Sequence, residues 1–243
     1  MRMRTFAKRN LLEMIRDPLT LAFGLGFPLV LILLLSAIQA NIPVALFEIQ
    51  HLAPGITVFG LAFMTLFSAT IIAKDRDSSL TQRLYTTPLT PLDFILGYTL
   101  PIIPLSVAQS VVCYVAAIVL GLDITVNILI SVLFTVPVSV LYIALGLLCG
   151  SVFNDKQVGG ICGALLTNLS AWLSGIWFDL DLVGGAFKKI AYALPFVHAV
   201  ELQKNVLAGD FAAISPHLYW VLGYGIACLA AAVLLFLRQM KQQ

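Results

Sequence analysis

The chain is poor in charge. Asp, Glu, Lys and Arg together make 11 % of its 243 residues, against about 25 % in a soluble domain. A surface facing water cannot be covered from so small a supply, which excludes an ordinary soluble enzyme. Disorder is excluded too, because 60 % of the residues are hydrophobic and mean hydropathy is +0.99. The four cysteines, Cys113, Cys149, Cys162 and Cys228, form no C-x-x-C pair, and each lies in an apolar run. A disulfide framework or zinc site does not fit that spacing, and they read as small buried hydrophobes. G-x-x-x-x-G-K-[ST], H-E-x-x-H and G-x-S-x-G are all absent. The chain therefore has no phosphate-cradling loop, no helical zinc-protease pair and no nucleophile elbow.

What is present is a series of long apolar runs. A helix needs about 20 apolar residues to cross the hydrocarbon core. Stretches free of Asp, Glu, Lys and Arg cover 19–47, 49–73, 94–122, 124–154, 157–178 and 211–237. Trimmed at turn residues, they predict six spans, at 19–39, 52–73, 97–120, 126–150, 158–178 and 217–237. Pro54-Gly55 is expected to open the second and Ser215-Pro216 the sixth. The first 17 residues mix five basic residues with Glu13 and Asp17, and the run after them is too long for a cleaved leader. Residues 190–200 are uncharged but too short to cross, and they contain Pro195 and His198. They read as part of short re-entrant or interfacial helices over 184–210. The expected fold is an all-α membrane protein: one transmembrane domain over 1–243, with six helices, an amphipathic N-terminal interfacial helix and external re-entrant helices between spans five and six.

Basic residues orient it. With the N-terminus inside, inner segments hold 11 Lys and Arg and outer segments hold 3. The bias places both termini in the cytoplasm and the chain in the cell's inner membrane. The span cores contain no Asp, Glu, Lys or Arg, so the obvious relay of a proton- or sodium-coupled carrier is missing. A channel, or a membrane subunit powered by another protein, remains.

Two inner segments bear on that choice. In 5–17, Phe6, Leu11, Leu12 and Ile15 alternate with charge at helical spacing, and Arg9 and Glu13 stand four apart, able to pair. This is a helix on the inner membrane surface, either an anchor or a docking surface. It ends at Asp17-Pro18. The second segment, 74–93, is the longest charged inner piece. Asp77 or Ser78 can cap a short helix there, bearing Leu80, Arg83 and Leu84 and stopped by Thr87-Pro88. Such a rigid link can transmit a push between spans.

Other patterns sit in the spans. Phe59, Phe63 and Phe67 share one helical face, as do Asn168 and Trp172. Each set reads as packing or lipid contact, or as the wall of a path for an apolar solute. Gly146-x-x-x-Gly150 and Gly159-x-x-x-Gly163 allow close helix contact, within the chain or at a dimer seam. His198 and Glu201 read as structural, with an external gate as the alternative.

In order and spacing the chain resembles the permease subunits of type-2 ABC exporters. The resemblance rests on Arg9-Asn10-Leu11 to Glu13, Arg16-Asp17-Pro18, Pro28, Ala53-Pro54-Gly55, Leu80 to Arg83-Leu84, Thr87-Pro88-Leu89, Phe94, Leu96-Gly97, Ser174-Gly175-Ile176, Ala193-Leu194-Pro195-Phe196 and Ala199-Val200-Glu201. It covers nearly the whole chain. It departs at Ser78-Ser79, where the family often has Gly-Thr, and at Lys74, near where an acidic residue is common. The resemblance implies a dimer of permeases, two copies or a homologous pair, above two cytoplasmic ATPase subunits. ATP and Mg would bind in those subunits and no cofactor in this chain. Coupling would fall to Glu13, Arg16, Asp17, Asp75, Arg76, Asp77, Leu80, Arg83, Leu84 and Pro88. The path would use Phe59, Phe63, Phe67, Asn168 and Trp172, and the external gate His198 and Glu201. Lipid is an expected partner and nucleic acid is not. An amphipathic or lipophilic substrate (a drug, toxin or lipid-like molecule) is expected. Export of a lipid-linked glycan, a passive channel and a membrane-embedded enzyme are the alternatives.

Overall fold

In a computed structural model, residues 2–42, 47–78 and 90–240 are described, and within them there is no strand. Helix α1 (Arg2–Arg16) is the amphipathic segment. Asp17 ends it and caps the next helix, accepting from the Leu19 N–H at 3.1 Å and the Thr20 hydroxyl at 2.8 Å. Helix α2 (Pro18–Asn41) has a π-helical segment at Ala22–Gly26. Helix α3 runs Ile49–Asp77, α4 Pro91–Thr99, α5 Ile102–Val119 and α6 Val126–Val152. Helix α7 covers 155–172 in three abutting pieces, the middle one the π-helix Gly159–Leu166. Short helices α8 (Leu180–Val183), α9 (Gly185–Ala193) and α10 (Pro195–Ala208) lead to α11 (Ile214–Met240).

Among the described residues, five helices are long and apolar enough to cross a membrane: Pro18–Asn41, Ile49–Asp77, Leu92–Val119, Val126–Val152 and Ile214–Arg238. They coincide with five of the expected spans. The stretch expected at 158–178 is not among them. Its helix opens on Asp155-Lys156-Gln157 and stops at Trp172, before Ser174 and the positive-φ Gly175 (φ 71°). One smaller expectation is corrected. Pro54 lies inside α3 instead of opening it, because the helix begins at Ile49. Asp77 is the last residue of α3 and Ser78 follows it. The coupling helix that Asp77 or Ser78 is expected to cap, with Leu80, Arg83, Leu84 and Pro88, falls on 79–89, outside the described residues.

Helix α3 is the axis of the bundle. It is buried along most of its length and packs on α2, α5, α6, α7 and α10. Its closest neighbour is α6, and glycine makes that approach possible. A side chain at Gly146 would run into the Ser68 hydroxyl and the Thr65 carbonyl, and one at Gly150 would meet the Ala69 carbonyl at 2.7 Å. The two backbones come close enough for the Thr65 hydroxyl to donate to the Tyr142 carbonyl at 2.9 Å. The first glycine pair therefore serves packing within the chain. In the second, Gly163 rests on Leu66 while Gly159 faces open space.

Helix α10 is packed in among the long helices. It lies against α3, α6 and α11, and Gln203 is fully buried. The Gln203 amide donates to the Ser131 carbonyl at 3.2 Å and accepts from the Tyr114 hydroxyl at 3.5 Å. A buried amide needs such partners, because leaving it unpaired would cost about 1–3 kcal/mol.

Candidate functional site

Helix α1 is fastened to the bundle by a polar lock. Phe6, Asn10 and Met14, four residues apart, are the buried stripe of α1, while Leu12 and Ile15 are exposed. Leu12 and Ile15 are thereby left free of the bundle, on the surface that a helix lying along the membrane would turn to lipid. Phe6 meets Tyr98 edge-on at 4.9 Å and Phe94 at 5.6 Å, over Gly97. The Asn10 amide donates to the Gly97 carbonyl at 3.0 Å. Arg9 pairs with Glu13 at 2.8 Å, as the spacing predicts, and also donates to Asp75 at 2.7 Å. Asp75 is only 2 % exposed and accepts from the Tyr98 hydroxyl at 2.9 Å as well. Burial works against the Arg9 cation, but Asp75, Glu13 and Tyr98 together more than offset it, so the guanidinium is held above its ordinary range.

The next residue reaches a different helix. Arg76 donates to the carbonyls of Gly150, Ser151 and Phe153, at 3.0 Å and 3.2 Å for the first and last. Those groups lie at the C-terminal end of α6, where backbone acceptors lack helical partners and carry the negative end of the helix dipole. Asp77 in turn accepts from the Asp155 N–H, at the start of α7, at 3.4 Å. Three consecutive side chains thus tie the end of α3 to α1 and α4, to α6 and to α7, directly before 79–89. Of the other expected coupling residues, Glu13 and Asp17 line a cleft of about 290 Å³ with Lys74, Phe23 and Phe67, and Arg16 is exposed.

The aromatic residues form a cluster at α2–α3. Phe63 lies 5.9 Å from Phe23, 5.6 Å from Phe27 and 5.8 Å from Phe59. Phe59 also meets Trp177 at 5.7 Å. Phe67 packs at Gly24. Asn168 and Trp172 stand elsewhere: both are exposed, and Asn168 donates to the Ala164 carbonyl at 2.8 Å. Phe23, Phe27 and Trp177 are additions that the sequence reading missed. The Phe23/Phe27 spacing on the first span was the available signal.

On the face opposite α1, His198 and Glu201 make different direct contacts, although the Glu201 charge acts on the His198 ring. His198 contacts His217 and the Tyr192 carbonyl, whereas Glu201 pairs with Lys204 at 3.4 Å. His217 was also missed. It lies 19 residues away, and no local pattern links the two.

The described residues form an α-helical bundle of membrane-length apolar helices with α1 locked to it. No curated protein matches the chain. The family model described as ABC-2 type transporter matches residues 1–207. The chain belongs to the ABC-2 type transporter family and is a membrane permease subunit of an ABC transporter.

Proposed function

We propose that this permease works as an exporter, paired with a second copy or a homologous permease and driven by two cytoplasmic ATPase subunits beneath α1 and residues 74–93. ATP and Mg bind in those subunits. Both termini face the cytoplasm, in line with the basic-residue bias. The chain crosses the membrane six times. Helix α6 ends beside Arg76 on the α1 face, and α11 returns to that face, where Phe236 lies 4.7 Å from Phe94. One crossing is thus needed between 153 and 214, and α7 with the turns that follow it supplies that crossing. Helices α9 and α10 form the external re-entrant element, a reading supported by the packing of α10 between α3, α6 and α11.

The observation that carries the proposal is the run Asp75-Arg76-Asp77. A displacement applied to 79–89 by a closing ATPase pair acts at the end of α3, and that end is fastened to four other elements at once. A push on a floppy loop would dissipate, whereas a push here moves α1, α6 and α7 with the central helix. The substrate is amphipathic or lipophilic, and it uses the aromatic side of α2–α3 at Phe59, Phe63 and Phe67. A charge-free, ring-lined surface suits an apolar solute.

The test is reconstitution with the ATPase partner in lipid vesicles. Arg83→Glu should lower ATP-driven transport while the permease still inserts. Phe63→Ala should reduce substrate-stimulated ATP hydrolysis more than basal hydrolysis. Unchanged transport in the first variant, or equal loss of both activities in the second, would count against these placements.

A further inference from the structure

The two histidines opposite α1 face each other with ring nitrogens in contact. The Nδ1 atoms of His198, on α10, and His217, in the first turns of α11, are 2.9 Å apart. The His198 Nε2 atom is 3.0 Å from the Tyr192 carbonyl at the end of α9. A carbonyl can only accept, so Nε2 carries a proton. In neutral His198, Nδ1 is then a bare acceptor, and the neutral pair is held by His217 Nδ1–H donating to it. Trp220, one helical turn after His217, stacks on the His198 ring at 4.8 Å and 10°. Three helices thus meet at one imidazole. Among the described residues no group of three His, Cys, Asp or Glu could hold a metal ion, so the ligand these two rings can share is a proton.

Counting protons gives the behaviour. One added proton keeps the contact, because a charged ring still donates to a neutral one, and a charge-assisted hydrogen bond is the stronger kind. A second proton removes the last acceptor. Two N–H groups and two positive charges would then oppose each other at 2.9 Å, and the contact must open. We propose that the His198–His217 pair is a proton-operated latch between α10 and α11: it tightens with the first proton and is released by the second.

The surroundings favour a wide separation of the two steps. Burial holds His198 below the ordinary imidazole range; its bond to the Tyr192 carbonyl opposes this, His217 adds to it, and Glu201 opposes it. Glu201 is the charged side chain that acts on both rings, and it is itself shared with Lys204. From α9 the pair meets Tyr192, whose ring lies 6.0 Å from His198 and has Lys188 at 5.7 Å. Neither α3 nor α6 adds a described charged group acting on either ring. Coupled groups lose or gain protons in two macroscopic steps that belong to the pair.

Trp220 reports the state of the latch. A stacked imidazolium quenches indole emission, and a departed ring does not. The experiment is a fluorescence titration of the full chain in lipid nanodiscs from about pH 8 to about pH 4.5, a window that brackets imidazole titration. The same titration of Trp220→Phe is subtracted, leaving the Trp220 component. It should fall with the first proton and recover with the second. In His217→Gln the fall should remain and the recovery should be lost, and in His198→Gln both should be lost. A single monotonic step in the parent chain would overturn the proposal whether or not the variants fold. A His217→Gln titration superimposable on the parent's would overturn it as well.

Discussion

Replacing Asp75 separates an ion-paired lock from simple apolar docking of α1. In Asp75→Asn the Arg9 and Tyr98 donors keep one neutral oxygen and lose a carboxylate. A hydrogen bond to a charged group contributes about 1.5–3 kcal/mol. Arg9 is 39 % exposed and retains Glu13 at 2.8 Å, so solvent and the second carboxylate reduce its share. The expected loss of stability is about 2 kcal/mol. Arg9→Ala should be worse, at about 3 kcal/mol or more, because it leaves a carboxylate that is 2 % exposed with the Tyr98 hydroxyl as its one remaining side-chain donor among the described residues. The double variant removes both charges and should cost less than the sum, with an interaction energy of at least about 1 kcal/mol. Equilibrium unfolding of the purified chain in mixed micelles, read for all four proteins of the cycle, gives these numbers. The reasoning fails if Arg9→Ala costs no more than Asp75→Asn, or if the two effects simply add.

Two further outcomes follow from the same packing. Gly146→Leu should abolish monodisperse protein in size-exclusion chromatography, because the Ser68 and Thr65 atoms occupy the space, and overpacking typically costs about 1–3 kcal/mol; Gly159→Leu, at a position facing open space, should leave the monomer fold intact. Arg76→Ala should increase hydrogen exchange in the last turn of α6 and destabilise the chain by about 1.5–3 kcal/mol, since three backbone acceptors lose a charged donor.

Features with a local cause could be read from the sequence. Five helices of membrane-crossing length follow from the apolar runs, the end of α1 from Asp17-Pro18, and the Arg9–Glu13 pair from a spacing of four. The glycine contact at α3–α6 follows from Gly146 and Gly150. What escaped was set by distant partners. Arg9 and Asp75 are 66 residues apart, and Arg76 and Phe153 are 77 apart. No local periodicity encodes either contact, so Asp75 and Arg76 enter the expected coupling set without their partners on α1 and α6. The bundle-facing stripe of α1 is not legible in the sequence because Asn10 is polar. Its amide has a backbone acceptor at Gly97, which lets it sit where periodicity alone expects an apolar residue. The fifth apolar run looked long enough to be one helix because Trp172 to Phe178 is uncharged. Helix termination by Ser174 and Gly175 overrides hydropathy there.

The permease reading stands or falls on a separate energy source beneath the coupling segment. The deciding measurement is purification of the tagged full chain from its native membrane, with identification and stoichiometry of what comes with it. A P-loop ATPase at one copy per permease, released by Arg83→Glu, is the predicted result. Repeated recovery of the chain alone, monodisperse and conducting solute when reconstituted without ATP, would contradict it.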